Sequence, residues 1–195
     1  MNIVLASNSP RRRELLAGLG LPFQVEVIDG VDESYPSGLQ PYEIAEHIAS
    51  QKAAAYDIKA DELLITADTI VVVDEEILGK PHDAADARRM LNLLSNRTHQ
   101  VITGVCLFSQ KRKRLFSVVT DVTFKALTPE EIDYYITTFK PYDKAGAYGI
   151  QEWIGYIGVT SISGSYFNVM GLPVQRIYEE LKGFGFELLT ANSLP

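Results

Sequence analysis

Residues 63–73 are the most strand-like stretch of the chain, because they are apolar and rich in β-branched side chains except at Asp68 and the threonines. Asp68 divides the stretch into two apolar halves. An ionised carboxylate is costly to bury unless a cation or a metal ion meets it. The pattern therefore predicts a core strand that passes a cleft at Asp68.

Three roles suit the carboxylate of Asp68. It could hold a metal ion, or it could act as the general base that removes a proton from attacking water. It could instead accept hydrogen bonds from backbone N–H groups at a bend in the strand. The pattern around Asp68 leaves all three roles open.

Strand and helix patterns succeed one another along the whole chain. Strand patterns occupy residues 2–6, 23–28, 63–73, 77–78, 101–109 and 115–125. Helical patterns occupy residues 14–19, 41–56, 84–94, 129–139 and 173–182, whereas a glycine-rich stretch covers 146–171. This order predicts an α/β fold with a mixed central sheet flanked by helices. A chain of 195 residues with 46% apolar side chains fits one domain or two closely fused lobes.

Three consecutive arginines, Arg11 to Arg13, follow Ser9 and Pro10. If Ser9 caps a helix and Pro10 is its first residue, the arginines occupy the first turn, where the helix dipole favours anions. A bound phosphate among them would explain this placement, and the hydroxyls of Ser7 and Ser9 could bond to it. The alternative is a solvated first turn, with Arg13 in particular pointing to water.

Two lysines and a second acid are further candidates for a phosphate or metal site. Lys52 extends the apolar stripe of Ile44 and Ile48, which directs it along the buried face of its helix. Lys80 lies in a stiff Gly-Lys-Pro turn, and Glu33 lies in a polar loop. Each also has a structural alternative. Lys52 could be a cation that stabilises a helix C-terminus, Lys80 an exposed turn lysine, and Glu33 a solvated carboxylate.

Charge and composition exclude several other classes of protein. A net charge of −7 opposes binding to nucleic acid, and the basic run 111–114 is expected to be a solvated hairpin tip. No apolar run is long enough to span a membrane. The single cysteine, Cys106, lies in an apolar run and is expected to be buried and inert. We expect a cytoplasmic protein, and a homodimer as the commonest soluble assembly.

Five motifs, taken together and in order, resemble the Maf family of nucleotide pyrophosphatases. They are Ser-Asn-Ser-Pro-Arg-Arg-Arg-Glu-Leu-Leu at 7–16, Thr-Ala-Asp-Thr at 66–69, Gly-Lys-Pro at 79–81, Asp-Lys-Ala-Gly-Ala-Tyr-Gly-Ile-Gln at 143–151 and Gly-Ser-Tyr-Phe-Asn-Val-Met-Gly-Leu-Pro at 164–173. The resemblance spans nearly the whole chain, so it implies a single Maf-like domain over residues 1–195.

The resemblance implies two α/β lobes of the Maf/ITPase-like kind around a cleft that hydrolyses nucleoside triphosphates to monophosphate and pyrophosphate. It implies a divalent cation, Mg²⁺ or Mn²⁺. Asp68 becomes the proton acceptor, with Glu33 beside it at the metal. The residues placed around the phosphates are Ser7, Arg11, Arg12, Lys52 and Lys80.

The resemblance also implies a base preference. Within the family this choice is associated with the positions of Arg12, Thr69 and Gln151. Thr69 after the aspartate, together with Gln151, resembles the branch that acts on dTTP and UTP. A glutamine amide offers one donor and one acceptor, which suits the N3–H and carbonyl edge of uracil or thymine, including modified pyrimidines.

Two functions from other classes remain as alternatives. One is a nucleotide-binding regulator of cell division or septum formation, in which hydrolysis is incidental. The other is a nucleic-acid binding module, which the net charge of −7 opposes. The enzyme is preferred because an acid and several cations occur together.

Overall fold

One mixed β-sheet forms the centre of the molecule. The computed structural model describes residues 1–186. The strands are β1 (Asn2–Leu5), β2 (Phe23–Val25), β3 (Glu62–Val73), β4 (Glu76–Leu78), β5 (Thr98–Phe108), β6 (Lys113–Phe124) and β7 (Val159–Ser163). Their order is β2-β1-β3-β5-β6-β7, and β4 also pairs with β3. β1 is parallel to β2 and β3, and the other pairs are antiparallel, which confirms the predicted mixed sheet.

Helices cover both faces of the sheet. They are α1 (Pro10–Ala17), α2 (Pro41–Ala54), α3 (Ala84–Leu94), α4 (Pro129–Phe139), α5 (Trp153–Gly158), α6 (Tyr166–Met170) and α7 (Val174–Lys182), with a 3₁₀ turn at Ala145–Ala147. The start of α4 shows how the sequence sets a boundary. Thr128 Oγ1 accepts from the Glu131 N–H at 3.2 Å, and the Glu131 carboxylate accepts from the Thr128 N–H at 2.9 Å.

One predicted strand boundary was wrong, and three short elements were not predicted. The strand predicted at 23–28 ends at Val25, and the following Val27 and Ile28 are partly exposed. The glycine-rich stretch 146–171 contains α5, β7 and α6, each of five or six residues. Elements this short carry too few residues for a periodic pattern to be recognised. The last nine residues of the predicted domain, 187–195, lie outside the described part.

The basic run 111–114 lies at the hairpin between β5 and β6, and residues 111–113 are exposed, as expected of a solvated hairpin tip. Arg114 pairs with Glu180 at 2.9 Å, and Lys113 donates to Ser50 Oγ at 2.6 Å. These basic side chains therefore serve intramolecular contacts.

The cysteine and membrane expectations can also be compared with the structure. Cys106 is buried as expected, and burial raises the pKa of its thiol to about 11. Among residues 1–186, no helix is both long and apolar enough to cross a membrane.

Two clusters of buried side chains lie on one face of β3, towards its two ends. Ile65 packs in the cluster that includes α1 and α7 residues, whereas Val71 packs in the cluster that includes α3 and α4 residues. Thr69 lies between them on the same face, because side chains in a strand alternate. The two predicted lobes correspond to these two clusters, and they share one sheet.

A gap in the sheet lies between the lobes. On one edge of β3, β1 pairs with residues 62–65 and β4 pairs with residues 71–73. Within the described chain, residues 66–70 therefore have no strand partner on that edge, although β5 pairs with the other edge. This unpaired edge carries Asp68 and Thr69, so the cleft predicted at Asp68 corresponds to an interruption of the sheet.

Candidate active site

A cleft of about 830 Å³ opens at the unpaired edge of β3. Its walls come from the β1–α1 loop, α2, β3, the turn after β4 and the segment around the 3₁₀ turn. Every site residue expected from the sequence lines this cleft. They are Ser7, Arg11, Arg12, Glu33, Lys52, Asp68, Thr69, Lys80 and Gln151.

Lys52 of α2 bridges the two acids. Its ammonium Nζ lies 2.7 Å from Asp68 Oδ1 and 2.9 Å from Glu33 Oε1. Lys52 reaches this point because α2 packs on the sheet through the stripe of Ile48 and its neighbours, as the spacing predicted. In the described chain no backbone N–H donates to Asp68, so the structure does not support the strand-bend alternative. Glu33 lies in an exposed loop, yet its carboxylate contacts the same Lys52 ammonium as Asp68 does.

The charge around Glu33 changes its pKa. Partial burial acts to raise the pKa of this carboxyl. The hydrogen bond and positive charge of Lys52 act against burial, with help from Lys80 and Arg12, and the net result is a lowered pKa. Glu33 is therefore an anion at neutral pH and is available to a cation.

Ser9 caps α1 as expected, accepting from the Arg12 N–H at 3.4 Å, so the arginines do occupy the first turn. Arg11 Nη1 pairs with Asp143 Oδ2 at 3.0 Å across the cleft. Arg13 Nε reaches the Ser7 carbonyl at 3.4 Å and is largely exposed. Arg11 is thus the arginine that meets an anion inside the cleft.

Arg12 is held by the protein itself. Its guanidinium donates to three acceptors, namely the Gly171 carbonyl at 2.7 Å, the Ala67 carbonyl at 2.9 Å and Thr69 Oγ1 at 3.0 Å. Burial lowers the pKa of Arg12, while the charge of Asp68 acts in the opposite direction. Because a guanidinium has five N–H donors, two remain for a ligand. Arg12 fastens α1 to the open edge of β3.

The two other residues associated with base choice differ in how well they are bonded. Thr69 Oγ1 accepts from Arg12 and also lies 2.9 Å from Thr103 Oγ1. Gln151 Oε1 is buried and has no hydrogen-bond partner within the described residues. A buried amide oxygen without a partner is costly, so this atom suits a donor on a ligand.

Lys144 and Asp143 line the same cleft but were not singled out from the sequence. Lys144 is buried, with Nζ 2.8 Å from Asp143 Oδ1 and 3.0 Å from Glu152 Oε1. Partial burial acts to raise the pKa of Asp143, but Lys144 and Arg11 outweigh it and lower the pKa. The available signal was the Asp-Lys pair within the motif at 143–151.

The site can hold both anionic phosphates and a divalent cation. Five cationic side chains line the cleft in a protein of net charge −7: Arg11, Arg12, Lys52, Lys80 and Lys144. Asp68 and Glu33 each lie within 2.9 Å of one ammonium, so their oxygens are close enough to share a single ion. Mg²⁺ usually takes one or two carboxylates plus water and substrate phosphates, which this donor set fits. Among residues 1–186 there is no group of three or more His, Cys, Asp or Glu that could hold a metal alone.

Comparison with known proteins agrees with these features. The chain is 63% identical over 182 residues to "dTTP/UTP pyrophosphatase" of Phocaeicola vulgatus, covering 92% of this chain and 94% of that protein. It is 54% identical over 187 residues to the protein of the same name from Porphyromonas gingivalis, covering 94% of each. The solved Staphylococcus aureus Ham1 protein shares the fold at a TM-score of 0.52 and 15% identity, over 94% of this chain and 100% of that chain. Residues 2–184 match the Maf-like protein family model, and the chain therefore belongs to the Maf family.

Proposed function

We propose that this chain is a nucleoside triphosphate pyrophosphatase that hydrolyses dTTP and UTP, and modified pyrimidine relatives, to the monophosphate and pyrophosphate. The observation that carries the proposal is Asp68, a carboxylate bonded to Lys52 in a cleft lined by four further cations. The names of relatives at 54% and 63% identity support the same reaction.

The phosphate chain lies among the cations. Arg11, Lys52 and Lys80 stabilise the negative charge that develops on the departing pyrophosphate, and the Ser7 hydroxyl donates to a phosphate oxygen. Arg11 is freed for this contact when the triphosphate replaces Asp143 as its partner. Charges fixed in advance are effective here because they need little reorganisation during the reaction.

Asp68 acts as the general base. Its carboxylate takes a proton from water, and the resulting hydroxide oxygen bonds to the α-phosphorus as the bond to the bridging oxygen of pyrophosphate breaks. Lys52 Nζ contacts Asp68 Oδ1 at 2.7 Å and so orients this carboxylate. Glu33 and Asp68 would hold the divalent cation, Mg²⁺ or Mn²⁺, which would supply Lewis-acid stabilisation of phosphate charge.

Base selection is assigned to Arg12, Thr69 and Gln151. The unpartnered Gln151 Oε1 accepts from the N3–H of uracil or thymine. Cytosine carries no hydrogen at N3 and would leave this oxygen unsatisfied, which costs binding free energy. Arg12 and Thr69, which bond to each other, form the adjoining wall.

The remaining expectations belong to the same proposal. We propose a cytoplasmic homodimer that does not bind nucleic acid, since a net charge of −7 opposes binding to a polyanion. The regulator alternative is not favoured, because the acid and the cations line one cleft beside each other. The domain assignment 1–195 remains part of the proposal.

The deciding experiment measures pyrophosphate release from a panel of canonical and modified triphosphates, with Mg²⁺ or Mn²⁺, by the wild type and by Asp68→Asn. Release from dTTP and UTP that is lost in the variant is expected. No release from any triphosphate would leave only the regulator alternative.

A further inference from the structure

A chain of ion pairs and hydrogen bonds connects the phosphate side of the cleft with the core beneath Gln151. It runs through the side chains of Arg11, Asp143, Lys144, Glu152 and Tyr135, which we call the Arg11–Tyr135 network. Its links measure 3.0 Å from Arg11 to Asp143, 2.8 Å from Lys144 to Asp143 and 3.0 Å from Lys144 to Glu152. The last link is the Tyr135 hydroxyl, which donates to Glu152 Oε2.

Tyr135 fixes the loop on both sides of Gln151. Its hydroxyl oxygen accepts from the Gly149 N–H at 3.0 Å while the hydroxyl donates to Glu152. The Glu152 N–H in turn donates to the Gly149 carbonyl at 2.9 Å, which closes a tight turn. Gln151 lies within this turn, so one phenol oxygen sets the backbone position of the residue that faces the base.

The packing around Gly149 leaves little room for this turn to move. A methyl group at Gly149 would lie 2.9 Å from Glu152 Cδ, 3.0 Å from Lys144 Cε and 3.1 Å from Gln151 Nε2. These distances are shorter than ordinary van der Waals contact, so the network side chains pack directly on the glycine. A change in Glu152 or Lys144 would therefore be transmitted to Gln151.

Gln151 depends on this support because its amide oxygen has no protein partner of its own in the described chain. Tyr135 is fully buried and stacks on Phe139, with ring centroids 5.1 Å apart. Neither Tyr135 nor Glu152 lines the cleft. Tyr135 can therefore affect the base only through the turn, whereas Glu152 also contacts Lys144, which lines the cleft.

We propose that Tyr135 and Glu152 are positioning residues that set the preference for uracil and thymine by holding Gln151 at the base. This inference rests on the proposed function, since it deepens the assignment of Gln151. A displaced Gln151 no longer accepts from the N3–H of uracil, whereas cytosine never made that bond. The preference for UTP over CTP should therefore fall when the turn is released.

Tyr135→Phe is the sharpest test, because it removes one oxygen and keeps the ring that stacks on Phe139. We expect the ratio of kcat/KM for UTP to that for CTP to fall roughly tenfold, the equivalent of one lost hydrogen bond. The fall should come mainly from a higher KM for UTP. A loss of correctly folded protein would lower the apparent kcat/KM for UTP and for CTP by the same factor, so it would leave the ratio unchanged.

Ser95→Ala is the matched control. Ser95 Oγ also accepts a backbone N–H, that of Leu127 at 2.8 Å, but Ser95 does not line the cleft. It should lower stability without changing the ratio. Glu152→Gln, which removes the charge that faces Lys144, should also lower the UTP-to-CTP ratio. If Tyr135→Phe does not fold, Glu152→Gln takes its place in the test.

A wild-type ratio in the folded variants would overturn the inference. If the wild type releases no pyrophosphate at all, the proposed function fails separately. The inference is then tested by calorimetric binding of UMP and CMP, where the same loss of preference in Tyr135→Phe is expected. Equal preference in the variant and the wild type would again overturn it.

Discussion

Asp68 and Thr69 are consecutive in β3, and their side chains bond to partners on opposite faces of the sheet. Asp68 meets Lys52 of α2 at 2.7 Å, whereas Thr69 meets Arg12 of α1 at 3.0 Å. Both can face one cleft because this edge of β3 has no strand partner at residues 66–70 within the described chain. The arrangement separates the proposed chemistry on one face from base selection on the other.

This separation predicts that the two functions can be changed independently. Thr69→Val removes the hydroxyl that bonds to Arg12 and Thr103, but it leaves Asp68 and Lys52 in place. We expect discrimination among the bases of dTTP, UTP and CTP to weaken roughly tenfold, with kcat for dTTP largely kept. Steady-state kinetics with the three nucleotides provide the measurement.

Asp68→Asn is the comparison for Thr69→Val. Loss of a general base should lower kcat about 10²–10⁴-fold for every base alike. If Thr69→Val also lowered kcat equally for all three nucleotides, the proposal that catalysis and base selection lie on opposite faces of β3 would be wrong.

The neighbouring arginines of α1 should respond differently to replacement by lysine. Arg12→Lys cannot reproduce three separate N–H bonds to Gly171, Ala67 and Thr69, because lysine is a single point donor. We expect a loss of stability of about 1–3 kcal/mol together with weakened base discrimination. Urea unfolding and the kcat/KM ratio for UTP and CTP give the two values.

Arg11→Lys is the matched variant in the same turn. Arg11 makes one ion pair, with Asp143, whose carboxylate is largely exposed, so the change in stability should be below about 1 kcal/mol. Its main effect should be a lower kcat for every triphosphate alike, because Arg11 acts on the charge that develops on the departing pyrophosphate. Equal losses of stability in the two variants would show that Arg12 does not fasten α1 to β3 as the contacts indicate.

The central acid and its lysine were predictable because each breaks a regular pattern. Asp68 interrupts an apolar strand, and Lys52 continues the apolar stripe of a helix. The sequence alone therefore predicts that both side chains point inward. The strongly patterned elements β3, β5, β6, α2 and α4 were predicted for the same reason. Patterns of this kind are local, and local information is what a single sequence carries best.

Lys144 and the binding mode of Arg12 could not be predicted in this way. Lys144 lies beside a 3₁₀ turn that contains Gly146 at a φ of 69°, in a stretch without periodicity. Arg12 bonds to Gly171, 159 residues further along the chain. Contacts of this kind depend on how separate elements pack, which no spacing near Arg12 indicates.

The bridge formed by Lys52 leads to a prediction about metal binding. Its ammonium occupies the space between Glu33 and Asp68, so a divalent cation must compete with it for the same oxygens. Lys52→Met should therefore bind Mn²⁺ more tightly in the absence of nucleotide, by roughly tenfold, because both carboxylates lose the ammonium that they contact. Titration of free Mn²⁺ by electron paramagnetic resonance measures this affinity, and pyrophosphate release should fall.

Lys80→Met is the control for the metal prediction. Lys80 lines the same cleft and influences Glu33 through its charge alone. It should change Mn²⁺ affinity less than Lys52→Met does. Unchanged or weaker Mn²⁺ binding by Lys52→Met would mean that the metal is not held between Glu33 and Asp68.

His99 predicts how stability depends on pH. Its ring is buried, with Nε2 2.7 Å from the Tyr148 hydroxyl, and burial lowers its pKa from 6.5 to about 4. The unfolded chain therefore binds a proton near pH 6.5, but the folded protein binds it only near pH 4. The contribution of His99 to stability is present above pH 6.5 and is lost as the pH falls from 6.5 towards 4, by on the order of 3 kcal/mol.

His99→Gln separates this effect from other acid effects, because glutamine can bond to Tyr148 but does not take up a proton. Urea unfolding at several pH values between about 7 and about 4.5 should show a shallower fall in the free energy of unfolding than in the wild type. His82→Gln, at an exposed position, should keep the wild-type slope.

Because Tyr148 lines the cleft, the wild type should also lose activity where His99 becomes charged. A slope in His99→Gln as steep as that of the wild type would show that His99 does not cause the acid sensitivity in this pH range, because the lowered pKa of carboxyls such as Glu33 makes stability fall only at lower pH.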